Sequence, residues 1–298
     1  MDQINRRSFL KAFAIGGAFA AVSGLSVPAI AEEKKSTAVL KLSSQEGRIP
    51  GGSLKEKITN LEKWGGCGME FGGNPKGRIK EIQDAMKGTG MKVSALCWGS
   101  HGGDLVSMDM EKRKKGIQDM KDALTTAGEL ESTGVIFVPC FNKQSHLKPD
   151  EIRKILIDIL PDLGDHAQKC KSRVLLEPLN TGETFYMKRL EQAASICNEL
   201  KNPGVAIMGD FYHMKKEETS DKDAFVAAGS YLHHVHLAST TRVLPGQDDR
   251  SYIEGFKGLK MIGYQDYCSL ECGCKGKPEE EIPKAFAFLK EQWEEATI

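Results

Sequence analysis

The chain has 298 residues, of which 40% are hydrophobic and 28% charged, with 41 Lys+Arg balanced by 41 Asp+Glu. That composition excludes a disordered chain, and zero formal net charge leaves no long-range field for nucleic acid. The 31 glycines suit a fold with many tight connections.

The N-terminus reads Asn5-Arg6-Arg7-Ser8-Phe9-Leu10-Lys11, followed by an apolar run from Ala12 to Val22 and then Pro28-Ala29-Ile30-Ala31. Two adjacent arginines, a modest apolar run and a small-x-small end have the form of a twin-arginine signal peptide, cleaved after Ala31. A membrane anchor fits less well, because Gly16, Gly17, Ser23, Gly24 and Pro28 interrupt a stretch that barely reaches the ~20 residues needed to span. Cleavage leaves 267 of the 298 residues, with 38 basic against 40 acidic side chains. The expectation is a periplasmic or otherwise exported protein that uses the twin-arginine machinery. That route carries folded proteins, so a metal can be inserted before export. Eight cysteines would suggest disulfides in an oxidising compartment. Cys67, Cys97, Cys140 and Cys268 instead lie in or beside apolar strand-like runs, and Cys272 and Cys274 are too close to bridge easily, so mostly free thiols are expected.

Beyond the leader, β-rich runs alternate with helical periodicity. The strands are expected at Ala38–Ser43, Gly68–Phe71, Lys92–Trp98, Val135–Phe141, Arg173–Leu179, Val205–Phe211, His233–Ala238 and Tyr267–Glu271. Several are apolar throughout, as parallel strands buried on both faces are. Between them, Leu54, Ile58, Leu61 and Trp64 recur at helical spacing behind a Ser53/Glu56 capping box. Ile117, Met120, Leu124 and Ala127 mark a second helix, and Ile152, Ile155, Leu156, Ile159 and Leu163 a third with a kink expected at Pro161. Ile282, Phe286, Leu289 and Trp293 mark the last. Glu111-Lys112-Arg113-Lys114-Lys115 reads as the solvated start of a helix. Eight alternations predict an α/β fold, a single (β/α)₈ TIM barrel over residues 32–298. A doubly wound sheet is the alternative, but Gly72-Gly73-Asn74-Pro75-Lys76-Gly77 fits neither the dinucleotide nor the P-loop pattern.

Four of the expected strands carry a metal-ligating residue at or within two residues of their C-terminal ends: Glu177, Asp210, His236 and Glu271, spaced by 33, 26 and 35 residues. Each gap is about one βα unit, and a barrel brings the C-terminal ends of its strands to one rim. A lone carboxylate at a strand end often caps the next helix. Four in succession point to a shared centre. Three carboxylates on one rim repel one another unless a cation sits among them. Oxygen-rich ligation with one imidazole suits Mn²⁺, Mg²⁺ or Co²⁺ better than structural Zn²⁺.

The segments Glu177-Pro178-Leu179-Asn180, Asp210-Phe211-Tyr212-His213-Met214, His234-Val235-His236 with Arg242 and Pro245-Gly246, and Leu270-Glu271 resemble motifs of the xylose-isomerase-like sugar isomerase/epimerase superfamily. The pattern is closest to the ketose 3-epimerases of the tagatose and psicose type. The resemblance implies that Glu177, Asp210, His236 and Glu271 bind a divalent metal, commonly Mn²⁺. It also implies that Glu183, His213 and Arg242 hold substrate oxygens. Gln247-Asp248 departs from the second glycine that many members carry. Glu70, Trp98, His101, Phe141 and Asn142 lie near rim ends, where pocket lining competes with packing and loop hydrogen bonds. Relatives are often dimers or tetramers, which allows a homo-oligomer.

The implied chemistry is proton abstraction beside a carbonyl of an unphosphorylated sugar, through an enediolate, with Glu177 and Glu271 as the acid/base pair. Return of the proton to the opposite face gives an epimer, and return to the neighbouring carbon gives an isomer. Loss of a β substituent makes a lyase, for instance on 3-keto-glycosides. Two other classes fit less well. A DNA-repair endonuclease of the endonuclease IV type needs many histidines and a basic face, against 7 His and no net charge here. A non-catalytic sugar-binding protein has no need of two carboxylates flanking a metal.

Overall fold

The computed structural model describes residues 36–298, so the signal segment expected at 1–31 lies outside the described residues. Eight parallel strands close into a barrel in chain order. They are β1 Lys41–Gln45, β2 Gly68–Gly72, β3 Lys92–Gly99, β4 Val135–Phe137, β5 Val174–Leu176, β6 Val205–Asp210, β7 Leu232–Leu237 and β8 Tyr267–Leu270. The ring shuts where β1 pairs with β8, Ser43 lying opposite Ser269. Around it stand α1 Leu54–Lys63, α2 Ile79–Met86, α3 Met110–Glu129, α4 Pro149–Lys169, α5 Leu190–Leu200, α6 Phe211–Glu217, α7 Asp221–Ala228, α8 Ile253–Met261 and α9 Pro278–Glu295. The expected TIM barrel is therefore the observed fold, with two helices rather than one after β6.

The helical stripes face the core as their spacing requires. Leu54, Ile58 and Leu61 of α1, Ile152, Leu156, Ile159 and Leu163 of α4, and Ile282, Phe286 and Leu289 of α9 are all buried. Ser53 caps α1 by accepting from the Glu56 N–H at 3.2 Å. The return bond of the expected capping box differs: Glu56 Oε2 accepts from Gly52 N at 2.8 Å, one residue before the cap. Helix α4 continues through Pro161 to Lys169.

Strand ends are where sequence and structure part. The first strand begins at Lys41, not Ala38, and takes in Ser43 and Ser44. Ser43 lies within the expected strand and Ser44 beyond it, and Ser43 Oγ donates to Ser94 Oγ at 2.7 Å inside the barrel. The barrel lining is divided. Ala95, Ile136, Leu175, Ala206 and Met208 form an apolar cluster on one side. Ser43, Ser94, Glu70, His234 and Ser269 are buried on β1–β3, β7 and β8. A polar half of that kind hides its strands from a hydrophobicity pattern. In β4 and β5 the ladder stops at Phe137 and Leu176, so the expected ends at Phe141 and Leu179 belong to rim loops.

Glycines allow close approaches between the barrel wall and its helices, and Gly204 is one of them. A Cβ on Gly204, just before β6, would collide with the Gly164 carbonyl of α4. Gly204→Ala is expected to destabilise the fold by about 1–3 kcal/mol, the usual cost of overpacking. A lower urea midpoint with an unchanged slope checks this.

Candidate metal centre

All four expected ligands arrive at one rim. Glu177 stands one residue past β5, and its N–H still donates to Phe137 O at 3.0 Å. Asp210 ends β6 and caps α6, its Oδ1 accepting from Tyr212 N at 2.7 Å. In the sheet register Asp210 lies opposite His236 of β7. Glu271 follows β8. One donor atom from each of the four lies within 4.8 Å of the others. Asp210 and His236 are fully buried and Glu177 nearly so.

The donor atoms are poorly satisfied by the protein itself. Asp210 Oδ2 and His236 Nδ1 are buried with no hydrogen-bond partner. His236 Nδ1 stands 3.2 Å from Glu271 Oε2 and 3.8 Å from Glu177 Oε1. Asp210 Oδ2 stands 3.5 Å from His213 Nε2. Burial, joined by the neighbouring carboxylates, pushes Glu177 well above the usual carboxylate range. Burial and then the charge on Glu271 push Asp210 up to about 7. Glu271 moves the other way: burial opposes its ionisation, but the His236 and Arg242 charges outweigh that and hold it at about 2. Three ionised carboxylates at this spacing need a positive charge among them. Two orphaned buried donors, three acidic oxygens and one imidazole fit a divalent cation of the Mn²⁺ or Mg²⁺ kind.

The side chains that the resemblance assigns to substrate meet at the same rim. Arg242 donates to Glu183 Oε1 at 3.1 Å and to Glu271 Oε2 at 2.9 Å, and its guanidinium lies 4.6 Å over the Tyr212 ring. His213 Nδ1 takes the Asn180 side-chain amide at 2.7 Å and the Asn180 backbone N–H at 3.2 Å. Burial, reinforced by the Arg242 charge, pushes the His213 imidazole down to about 3. It is therefore neutral, with its proton on Nε2, the nitrogen facing Asp210. The other first-half candidates behave as packing and loop residues. His101 stacks on Trp98 at 4.5 Å and reaches Asp119 Oδ2 at 2.9 Å. Phe141 N–H donates to Gln144 Oε1 at 2.8 Å. Asn142 Nδ2 donates to the Thr181 and Gly182 carbonyls at 3.2 and 3.0 Å.

Glu70 is the exception. It is fully buried on β2, its Oε2 lying 2.8 Å from both His234 Nε2 and His236 Nε2. Burial alone would raise its pKa. The charge on His236 and the hydrogen bonds from both imidazoles outweigh burial and hold the carboxyl below the usual range. Gln45 Nε2 donates to Glu70 Oε1 and to Glu271 Oε1, each at 2.9 Å. Sequence reasoning missed Gln45 altogether. For Glu70 the signal was present: a single carboxylate in an apolar, doubly buried strand requires buried partners. The expected thiols are seen, all eight cysteines being free.

Comparison with known proteins agrees with this architecture. The 3-dehydro-D-guloside 4-epimerase of Escherichia coli is 29% identical over 265 residues, covering 84% of this chain and 99% of that one. A D-psicose 3-epimerase of Enterocloster bolteae is 26% identical over 205 residues, 66% of each chain. The apo crystal structure of 3-keto-D-glucoside 4-epimerase from E. coli superposes with a TM-score of 0.78 at 26% identity, over 85% of this chain and all of that one. Residues 58–292 match the family described as xylose isomerase-like TIM barrel, and with the closed eight-stranded barrel and its rim of acidic residues the chain belongs to that family.

Proposed function

We propose that the protein is a divalent-metal-dependent sugar epimerase acting on an unphosphorylated sugar, with 3-keto-glycosides as the substrate class. The observation that carries the reading is the convergence of Glu177, Asp210, His236 and Glu271 within 4.8 Å, with Glu177 and Glu271, two of the three carboxylates, as the proton-exchanging pair. The epimerase of 3-dehydro-D-guloside, matched over nearly its whole length, supports the substrate class. These four residues would hold the cation, Mn²⁺ first, with Mg²⁺ and Co²⁺ as alternatives. Bound there, it supplies the positive charge that stabilises an enediolate's developing negative charge.

The chain's own groups do the rest. Glu177 and Glu271 come from β5 and β8, with two strands between them around the rim. One takes the proton beside the carbonyl, and the other returns a proton to the opposite face, which inverts the carbon. Arg242 and the His213 Nε2–H donate to substrate oxygens, while Glu183 accepts from a hydroxyl and steadies Arg242. The Arg6-Arg7 leader supports an enzyme exported folded, with residues 32–298 as the mature domain, to a compartment where glycosides are met.

The test is incubation with 3-keto-glycosides and free keto sugars in D₂O with Mn²⁺, followed by NMR. The expected product is an epimer carrying deuterium at the inverted carbon. An alkene with loss of a β substituent replaces the epimerase by the lyase. Absence of deuterium from every substrate's α carbon overturns proton-abstraction chemistry.

A further inference from the structure

The geometry points to Glu70 as the positioning residue of the imidazole ligand. By accepting the Nε2–H of His236, it keeps that proton in place, so that when a cation binds it is Nδ1, facing Glu177, Asp210 and Glu271, that gives up its proton and ligates. This rests on the metal-site reading above and deepens it, since Glu70 stands behind the ligands rather than among them.

An imidazole can ligate through only one nitrogen while the other keeps its proton, and the hydrogen bond made by that other nitrogen decides which tautomer is present. His236 divides its two nitrogens in this way. Nε2 is 2.8 Å from Glu70 Oε2, and Nδ1 is a buried orphan on the ligand side. Glu70 is itself held from three directions. His234, two residues before His236 and on the same face of β7, reaches the same oxygen at 2.8 Å. Gln45 holds the second oxygen at 2.9 Å and, with its other proton, Glu271 Oε1 at 2.9 Å. A bridge thus runs from His236 through Glu70 and Gln45 to Glu271, joining two ligands from behind. It spans β1, β2, β7 and β8, the stretch of the ring where the barrel closes.

Glu70, His234 and His236 also bring three donor atoms within 4.8 Å of one another. Both imidazole nitrogens, however, sit at hydrogen-bond distance from a single carboxylate oxygen. Those contacts pair the three facing atoms without an ion, while His234 Nδ1 is buried with no partner. Loss of the Glu70 charge leaves at most a neutral amide oxygen to hold the proton on Nε2, a weaker acceptor than the carboxylate. The ring is then free to adopt the Nδ1–H tautomer, whose lone pair points into the barrel and away from the other ligands.

The experiment measures Mn²⁺ affinity by EPR titration of purified wild-type protein, His236→Asn, Glu70→Gln and Gln45→Leu, with circular dichroism to check folding. Wild type is expected to bind one Mn²⁺ and His236→Asn to lose it. Glu70→Gln should bind about 10–100-fold more weakly, the range seen when the carboxylate behind a ligating histidine is removed. Affinity within twofold of wild type in a folded Glu70→Gln overturns the role of Glu70 and leaves the ligand set standing. A wild type that binds no Mn²⁺ overturns the ligand set and this inference together. A second readout needs no variant at Glu70. In Zn²⁺-loaded wild-type protein, ¹⁵N–¹H NMR should place the His236 proton on Nε2, in slow exchange with solvent. A proton found on Nδ1 overturns the proposal even if Glu70→Gln does not fold.

Discussion

Asp210→Ala is expected to purify without stoichiometric divalent metal and to lose about 10³-fold in kcat/KM. Asp210 does two jobs with its two oxygens. Oδ1 caps α6 through the Tyr212 N–H at 2.7 Å, and Oδ2 is a buried orphan among the ligands. Loss of a cap costs ~1 kcal/mol of stability. Loss of a metal's electrostatic help costs several kcal/mol of barrier, and each ~1.4 kcal/mol is tenfold in rate. Activity should therefore fall much further than stability. Asp210→Asn separates the two roles, because its amide oxygen retains the cap while the charge is gone. It should melt near the metal-free wild type, yet bind metal weakly and turn over slowly. Metal content by mass spectrometry, thermal melts and steady-state rates check these three statements. Full metal occupancy in Asp210→Ala contradicts the ligand set. The same logic predicts that chelation lowers the melting temperature of the wild-type protein. A ligand at 1,000 times its Kd stabilises by ~4 kcal/mol, and its removal returns three carboxylates to mutual repulsion.

How much of this was legible in the sequence differs residue by residue. Glu177 and Asp210 follow apolar runs, His236 and Glu271 follow shorter strand-like segments, and the spacing of all four matches βα units, so one linear pattern carried both the fold and the proposed ligands. The strand ends were less legible, because a rim loop can stay apolar after its ladder has ended. Val138 and Cys140, for example, are buried beyond the last paired residue of β4. Ser44, just past the expected end of the first strand at Ser43, was illegible for the opposite reason: part of the barrel lining is polar, so burial there does not follow hydrophobicity. Gln45 was the hardest. It meets Glu271 across 226 residues of sequence, and only closure of β1 on β8 brings them together. No local pattern marks such a contact. Glu70 falls between these cases, since the strand pattern flagged a buried charge but not the histidines that satisfy it.

Replacing either proposed acid/base carboxylate by its amide should separate proton exchange from inversion. Epimerisation by two groups needs one to remove the proton and another to deliver one from the far side. Glu177→Gln and Glu271→Gln each leave an amide oxygen able to approach the cation, so some metal is retained while one proton carrier is lost. Net epimerisation should fall by about 10²–10⁴ in each, the usual contribution of a positioned acid or base. Each variant should still wash deuterium from D₂O into one epimer, the one whose C–H faces the surviving carboxylate, without inverting it. The two variants should therefore label opposite epimers, a signature that no single-base mechanism and no purely structural role produces. Arg242 sharpens the expectation for Glu271. Its guanidinium lies 2.9 Å from Glu271 Oε2 and, with His236, keeps that carboxylate ionised, so Glu271→Gln also removes an anchor of Arg242. Among the described residues Glu177 has no arginine partner, only His236 Nδ1 at 3.8 Å. Substrate affinity should thus weaken in Glu271→Gln more than in Glu177→Gln, which KM compared at matched metal occupancy would show. Labelling of the same epimer by both variants would instead mean that one carboxylate serves both faces, and the two-sided assignment would fail.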